Sequence, residues 1–271
     1  MKKRDAHVHT KYCPHGTKDT FDEYVEKAIE QGLSSISFTE HAPLPSNFID
    51  PTPEKDSGMR TNDLERYILD IQAIQKQYKN DIDIKCGLEV DYIEGYEKET
   101  QALLDHVGPY LDDSILSVHF LNCEGKWICL DYSPDSFKEA SNILGGVNQV
   151  YDLYFQQVLK SVETDLGYFK PKRIGHMTLV TKFQKRFKPT KGFSSIKDTI
   201  LENIADKGYA LDWNSAGLRK PLCREMYPDL ETIQKAKHLG IELVFGSDAH
   251  QAKEIGLGYE TLTQILETLT E

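Results

Sequence analysis

The stretch RDAHVHTKYCPHG, Arg4 to Gly16, places three histidines and an aspartate within eleven residues of a chain that has nine histidines in all. Read as a strand over 4–9, it alternates its side chains between two faces, so Asp5, His7 and His9 share one face and His15 follows in the loop. Six further runs with β-branched or aromatic content read as strands, at 35–40, 82–90, 114–121, 173–177, 209–214 and 242–247. Helical patterns separate them. The clearest is TFDEYVEKAIEQG at 20–32, where Thr20 and Glu23 make a capping box, Tyr24, Ala28 and Ile29 recur at helical spacing, and Gly32 supplies the stop. Others span 62–78, 96–107, 147–166, 194–207 and 230–239. Strand then helix, repeated, predicts parallel strands joined by right-handed crossovers, either closed as a barrel or open as a doubly wound sheet.

The strand ends decide between the two. After His7 and His9 on strand one, strand two runs into His41, strand three carries Glu89, strand four His119 and strand five His176, and strand seven runs out through Asp248 to His250. Small residues precede several of them at a two-residue step: Gly87 before Glu89, Ser117 before His119, Gly246 before Asp248. An open sheet would send such side chains under helices on two sides. A closed barrel lets them converge at its C-terminal mouth, where barrel enzymes place their chemistry. The expectation is an α/β fold, a seven-stranded (β/α) TIM-like barrel formed as a single domain over 1–271, with a metal site at that mouth. His106 and His238 fall in helical segments and are read as ordinary surface or helix-end residues.

Composition narrows the function. The chain has 271 residues, 39% hydrophobic and 28% charged, enough for a sizeable core. It opens MKKRDAH with neither a cleavable apolar segment nor a long uncharged run, which predicts a soluble, cytoplasmic protein. Its formal net charge of −11 argues against nucleic acid and anionic membrane as partners, since the one basic concentration, eight Lys or Arg between 170 and 191, reads as a solvated face. The five cysteines, Cys13, Cys86, Cys123, Cys129 and Cys223, are scattered without a C-x-x-C pair and suggest neither disulfides nor a zinc ribbon. Oligomeric state is left open.

Taken singly, each strand-end residue has an ordinary explanation; together they do not. Burying seven imidazoles with Glu89 and Asp248 in one place is costly without a cation. Nine ligands exceed the four to six of one ion that must also admit substrate, so two or three metals follow. Imidazole with a few carboxylates suits zinc, manganese or iron. Such ions lower the pKa of a shared water and hold anionic oxygens, which fits hydrolysis of a phosphate ester.

These motifs resemble the polymerase and histidinol phosphatase (PHP) family of metal-dependent phosphoesterases: DAHVH at 5–9, TEHA at 39–42, GLEVDY at 87–92, SVHF at 117–120, IGHMTLV at 174–180 and GSDAH at 246–250. CPHG, HAPLP, DSGM, FKPKRIGH and NSAGLRKPLC are similar to its histidinol-phosphatase branch. The resemblance implies a distorted seven-stranded (β/α) TIM-like barrel with a trinuclear centre of divalent ions. His7, His9, Glu89 and Asp248 would hold one ion; Glu89 would bridge to a second held by His119 and His176; His15, His41 and His250 would hold the third. It further implies Asp5 and Glu40 as residues orienting ligand imidazoles, Asn214 as a substrate contact, and Lys182, Arg219 and Lys220 as cations near the phosphate. The implied reaction removes phosphate from a small phosphomonoester, L-histidinol phosphate, by a metal-activated hydroxide. Alternatives within the family are a phosphodiesterase or exonuclease, or a broad phosphomonoesterase; outside it, a non-catalytic metal-binding module or an amidohydrolase barrel, which normally has eight strands and a lysine bridge.

Overall fold

The computed structural model describes residues 3–268. Seven strands form one parallel sheet and two more form a hairpin: β1 (Arg4–Val8), β2 (Ser35–His41), β3 (Asp83–Asp91), β4 (Ile115–Ser117), the hairpin β5 (Phe120–Cys123) and β6 (Lys126–Cys129), β7 (Arg173–Ile174), β8 (Ala210–Asn214) and β9 (Leu243–Gly246). The sheet order is β1-β2-β3-β4-β7-β8-β9. Beyond β9, Val8 bridges Ala249 in parallel, with the His9 N–H donating to the Ala249 carbonyl at 2.9 Å and the Asp248 N–H to that of His7 at 2.8 Å. The sheet is thereby nearly closed into a barrel. It is distorted where β4 and β7 meet, joined through one residue pair, Leu116 with Ile174.

Helices alternate with the strands because each carries one apolar stripe that must be covered. Phe21–Glu30 begins at the predicted capping box: the Thr20 N–H donates to Glu23 Oε2 at 2.6 Å and the Glu23 N–H to Thr20 Oγ1 at 3.3 Å. Its buried stripe is Phe21, Tyr24, Val25 and Ala28, whereas Ile29 is 40% exposed and takes no part. Outward-facing Phe38, Leu88, Leu116, Ile174, Leu211 and Phe245 pack beneath the helices in one core. The inside is different. Barrel interiors are usually filled by branched apolar residues, but here Ser37, Thr39, Ser117, Arg173 and Asp212 are buried. A polar floor therefore underlies the mouth.

Three elements differ from the sequence reading. The fourth strand, expected over 114–121, stops after Ser117, and Phe120–Cys123 folds back on Lys126–Cys129 instead. The two-residue loop Glu124-Gly125 has φ of 52° and 91°, the left-handed pair that favours a tight hairpin. The fifth strand, expected over 173–177, ends at Ile174. Helix Pro134–Leu144 was not expected, although Ser133 at its N-cap, Pro134 at N1 and Gly145 past its end are ordinary boundary signals. A small apolar cluster of Phe48, Ile93, Phe120 and Cys129 ties the 43–60 segment to the hairpin, and the two form one wall above the mouth.

Candidate metal centre

Glu89, near the end of β3 and 1% exposed, is the hub. Its Oε1 lies 2.8 Å from His176 Nε2 and 3.8 Å from His119 Nε2, and accepts from Ser117 Oγ at 2.7 Å. Its Oε2 lies 3.0 Å from His41 Nδ1, 3.4 Å from His7 Nε2 and 3.5 Å from His9 Nε2. Each carboxylate oxygen thus faces its own set of imidazoles. Asp248 completes the set on Oε2, with Oδ1 3.3 Å from His9 Nε2 and 4.0 Å from His7 Nε2. Its φ of 56° is uncommon for a non-glycine residue and aims the carboxylate across the barrel seam.

The outer ring nitrogens explain why the inner ones are free. His7 Nδ1 faces Asp212 Oδ2 at 2.9 Å, His9 Nδ1 faces Glu40 Oε1 at 3.2 Å, and His119 Nδ1 faces Asp91 Oδ1 at 2.7 Å. A carboxylate on Nδ1 fixes the proton there and turns the Nε2 lone pair inward, the usual support of a metal-bound histidine. His7 Nε2 and His9 Nε2 are buried without a hydrogen-bond partner. Lone pairs aimed at carboxylate oxygens repel unless a cation lies between, so the donor set fits divalent metal. Protons meet the same demand when ions are missing: burial disfavours the charged ring, but the nearby carboxylates of Asp248 and Glu40 push His9 up to about 9, and Asp91 and Glu89 push His119 up to about 10. Burial opposes ionisation of Glu89 too, yet His7 and His119 hold its carboxyl well below the usual range.

His15, His41 and His250 form a second cluster beside His9. His15 Nε2 and His250 Nε2 are 3.2 Å apart, while their Nδ1 atoms point at the carbonyls of Asp56 (2.9 Å) and Asp248 (3.1 Å). Two acceptors facing each other again need a cation. Cys13, set aside by the sequence reading, also comes within reach: His9, Cys13, His41 and His250 offer ligand atoms within 4.8 Å of one another, as do His7, His9 and Glu89, and Glu89, His119 and His176. Burial pushes the Cys13 thiol up, leaving it a neutral side chain in this cluster.

A cavity of about 610 Å³ opens over these groups, and Lys182, Arg219 and Lys220 are among the residues that line it. Lys182 Nζ is paired with Asp131 Oδ2 at 2.8 Å, and Arg219 donates to the Ser247 carbonyl at 2.9 Å. Glu40 meets an imidazole, as expected. Asp5 does not: its oxygens accept from the Ser247 N–H (2.9 Å) and the Gly256 N–H (2.8 Å), so it anchors backbone instead. Asn214 is also displaced from its expected role. It is fully buried, donates to Asp212 Oδ2 (3.1 Å) and Asp248 Oδ2 (3.3 Å), and is covered by Tyr227, whose backbone pairs with its own. The sequence reading missed Asp91 and Asp212. Both stand two residues along a strand from a residue it singled out, Glu89 and Asn214, and the period of two would have placed them on the same face. His106 and His238 lie exposed on helices Glu97–Val107 and Leu230–His238, as read.

Known proteins are similar to this chain in sequence and in fold. The PHP domain profile matches residues 5–216. The histidinol-phosphatase of Bacillus subtilis is 47% identical over 97% of this chain and 99% of its own length. A crystal structure from Listeria monocytogenes, of a candidate histidinol phosphatase, superposes with a TM-score of 0.92 at 40% identity, covering 96% of this chain and 99% of that one. The Lactococcus lactis histidinol phosphate phosphatase, complexed with zinc, L-histidinol and phosphate, shares the fold with a TM-score of 0.72 at 24% identity, over 99% and 94% of the two chains. Among the described residues, no helix is long and apolar enough to cross a membrane.

Proposed function

Since the chain belongs to the PHP domain family, we propose that it is a metal-dependent phosphomonoesterase that hydrolyses L-histidinol phosphate to L-histidinol and phosphate in histidine biosynthesis. The observation that carries this reading is Glu89, whose two oxygens face two imidazole sets under one cavity. The name of the Bacillus subtilis relative supports the substrate, and so do the L-histidinol and phosphate held by the Lactococcus lactis protein.

In this reading three divalent ions, zinc, manganese or iron, are held by the chain. His7, His9, Glu89 and Asp248 hold the first, Glu89, His119 and His176 the second, and His15, His41 and His250 the third. When bound, such ions lower the pKa of water towards neutrality and neutralise phosphate oxygens. Asp212, Glu40 and Asp91 hold the ligand rings in place from behind. Arg219, Lys220 and the Lys182–Asp131 pair line the cavity and orient the phosphate. A water oxygen joins phosphorus as the ester P–O bond breaks, and the departing alkoxide takes up a proton. A cavity of about 610 Å³ and a net charge of −11 suit a small phosphomonoester better than nucleic acid, in a soluble cytoplasmic enzyme working as one unit over 1–271.

The test is phosphate release from L-histidinol phosphate, with metal counted per chain, beside bis(p-nitrophenyl) phosphate as a diester. Rapid release from the monoester with two to three ions bound is expected. A preference for the diester would move the protein to another branch of the family, and bound metal with no turnover of either would remove the enzymatic reading.

A further inference from the structure

The polar floor of the barrel contains a cation that the proposed chemistry does not use. Arg173, on β7, is 3% exposed, and its three guanidinium nitrogens are sealed from solvent without an aligned hydrogen bond. One side of it is occupied: Nη2 lies 3.0 Å from Asp113 Oδ2, an oxygen that also accepts from Ser37 Oγ at 2.7 Å. On the other side Nη1 lies 4.0 Å from Asp212 Oδ1. Asp212 is divided in the same way. Its Oδ2 meets His7 Nδ1 and Asn214 Nδ2, while Oδ1 is buried with no hydrogen-bond partner. No side chain at position 246 can fill the gap, because a Cβ at Gly246 would come within 2.7 Å of Oδ1. A carboxylate this deep needs a countercharge, and 4.0 Å is too long for a direct hydrogen bond but within reach of through-space attraction or a bridging water.

We propose that Arg173 is a positioning residue for the metal centre: from beneath the barrel its guanidinium steadies the Asp212 carboxylate, so that Oδ2 holds His7 with Nδ1 towards Asp212 and Nε2 towards the ion. The chain of contact runs Arg173, Asp212, His7. This rests on the reading that His7 holds an ion. It also fixes the sign of an effect. A bare positive charge near divalent cations repels them, so electrostatics alone predicts tighter metal binding when Arg173 is neutralised. Positioning through Asp212 predicts the opposite.

The experiment is competition between a zinc chelator and the loaded, full-length protein, reading zinc retained per chain for the parent, Arg173→Met, Arg173→Lys, Asp212→Asn and Arg173→Met with Asp212→Asn. Arg173→Met is expected to weaken retention of one ion about 10- to 100-fold, the range for lost outer-shell support. Arg173→Lys should recover most of the loss. In the Asp212→Asn background the second change should add less than about twofold, because coupled residues do not add. Should Arg173→Met fail to fold, Arg173→Gln answers the same question with a polar side chain. Unchanged or tighter zinc retention, or losses that multiply in the double variant, would overturn the proposal while leaving the metal centre standing. A parent protein that retains no zinc, manganese or iron would remove both.

Discussion

Replacing Glu89 by glutamine tests the centre most directly, because the amide keeps the shape and removes only the charge. The carboxylate has imidazole nitrogens at 2.8 and 3.8 Å on one oxygen and at 3.0, 3.4 and 3.5 Å on the other. In the proposed centre it faces two divalent ions. Two unit charges 4 Å apart interact by about 4 kcal/mol at an effective dielectric of about 20, and a divalent ion at coordination distance gains more. Relief of the carboxylate's burial cost returns part of this. A net loss of about 3 kcal/mol per ion is therefore a floor, equal to more than about a hundredfold in affinity. Glu89→Gln should leave gel filtration in metal-free buffer with the first two ions depleted, and phosphate release should fall below about one hundredth of the parent rate. Metal content and turnover both equal to the parent's would refute the bridging position, whatever the fate of the fold.

Three further outcomes follow from the same geometry. Stripped of metal, the protein should lose stability as pH rises from about 6.5 to 10, because the folded-state values of His9 and His119 are raised to about 9 and 10. A raised value contributes stability that is complete below the unfolded value near 6.5 and is lost as the folded value is passed; thermal melts of chelated protein across that window check it, and a rising Tm would contradict the sign. His106→Ala and His238→Ala should leave metal content and phosphate release unchanged, since both rings are exposed on helices away from the mouth; loss of an ion in either variant would redraw the ligand set. Gly246→Ala forces a Cβ to 2.5 Å from the His7 Cβ and 2.7 Å from Asp212 Oδ1, so it should destabilise by about 1–3 kcal/mol and shed metal more readily than a distant glycine substitution, as urea unfolding and metal counts would report.

Much of the barrel was legible because two periodicities alternate along the chain and because histidine is scarce. Nine histidines among 271 residues make seven at strand ends a strong signal, whereas 43 acidic residues make any one aspartate a weak signal. That is why Asp91, Asp131 and Asp212 were passed over although they hold His119, Lys182 and His7 in place. Asn214 was read on the correct face but at the wrong depth. Its backbone pairs with Tyr227, a segment whose crossing leaves no mark in local sequence, and the pairing seals it beneath the cavity. Asp5 sits one period deeper than His7 and meets the backbone amides of Ser247 and Gly256 before it can meet any imidazole.

The misread strand ends and the metal centre have one physical cause. A regular strand would carry His119 and His176 up the barrel wall, with ladder hydrogen bonds on both sides and rings pointing alternately in and out. Instead β4 and β7 stop after three and two residues, and the chain turns at Val118 and Gly175. Both Nε2 atoms thereby reach Glu89 Oε1, at 3.8 and 2.8 Å. One backbone bond still ties the two strands, the Gly175 N–H donating to the Leu116 carbonyl at 2.9 Å, and a contact to the site itself takes the place of another: Ser117 Oγ, at the point where β4 breaks, donates to Glu89 Oε1 at 2.7 Å. A β-propensity pattern cannot predict such a break, because it is fixed by a carboxylate on another strand that both histidines approach. The distortion of the barrel is therefore where the site is built, and removing Glu89 should loosen β4 and β7 before any other pair of strands.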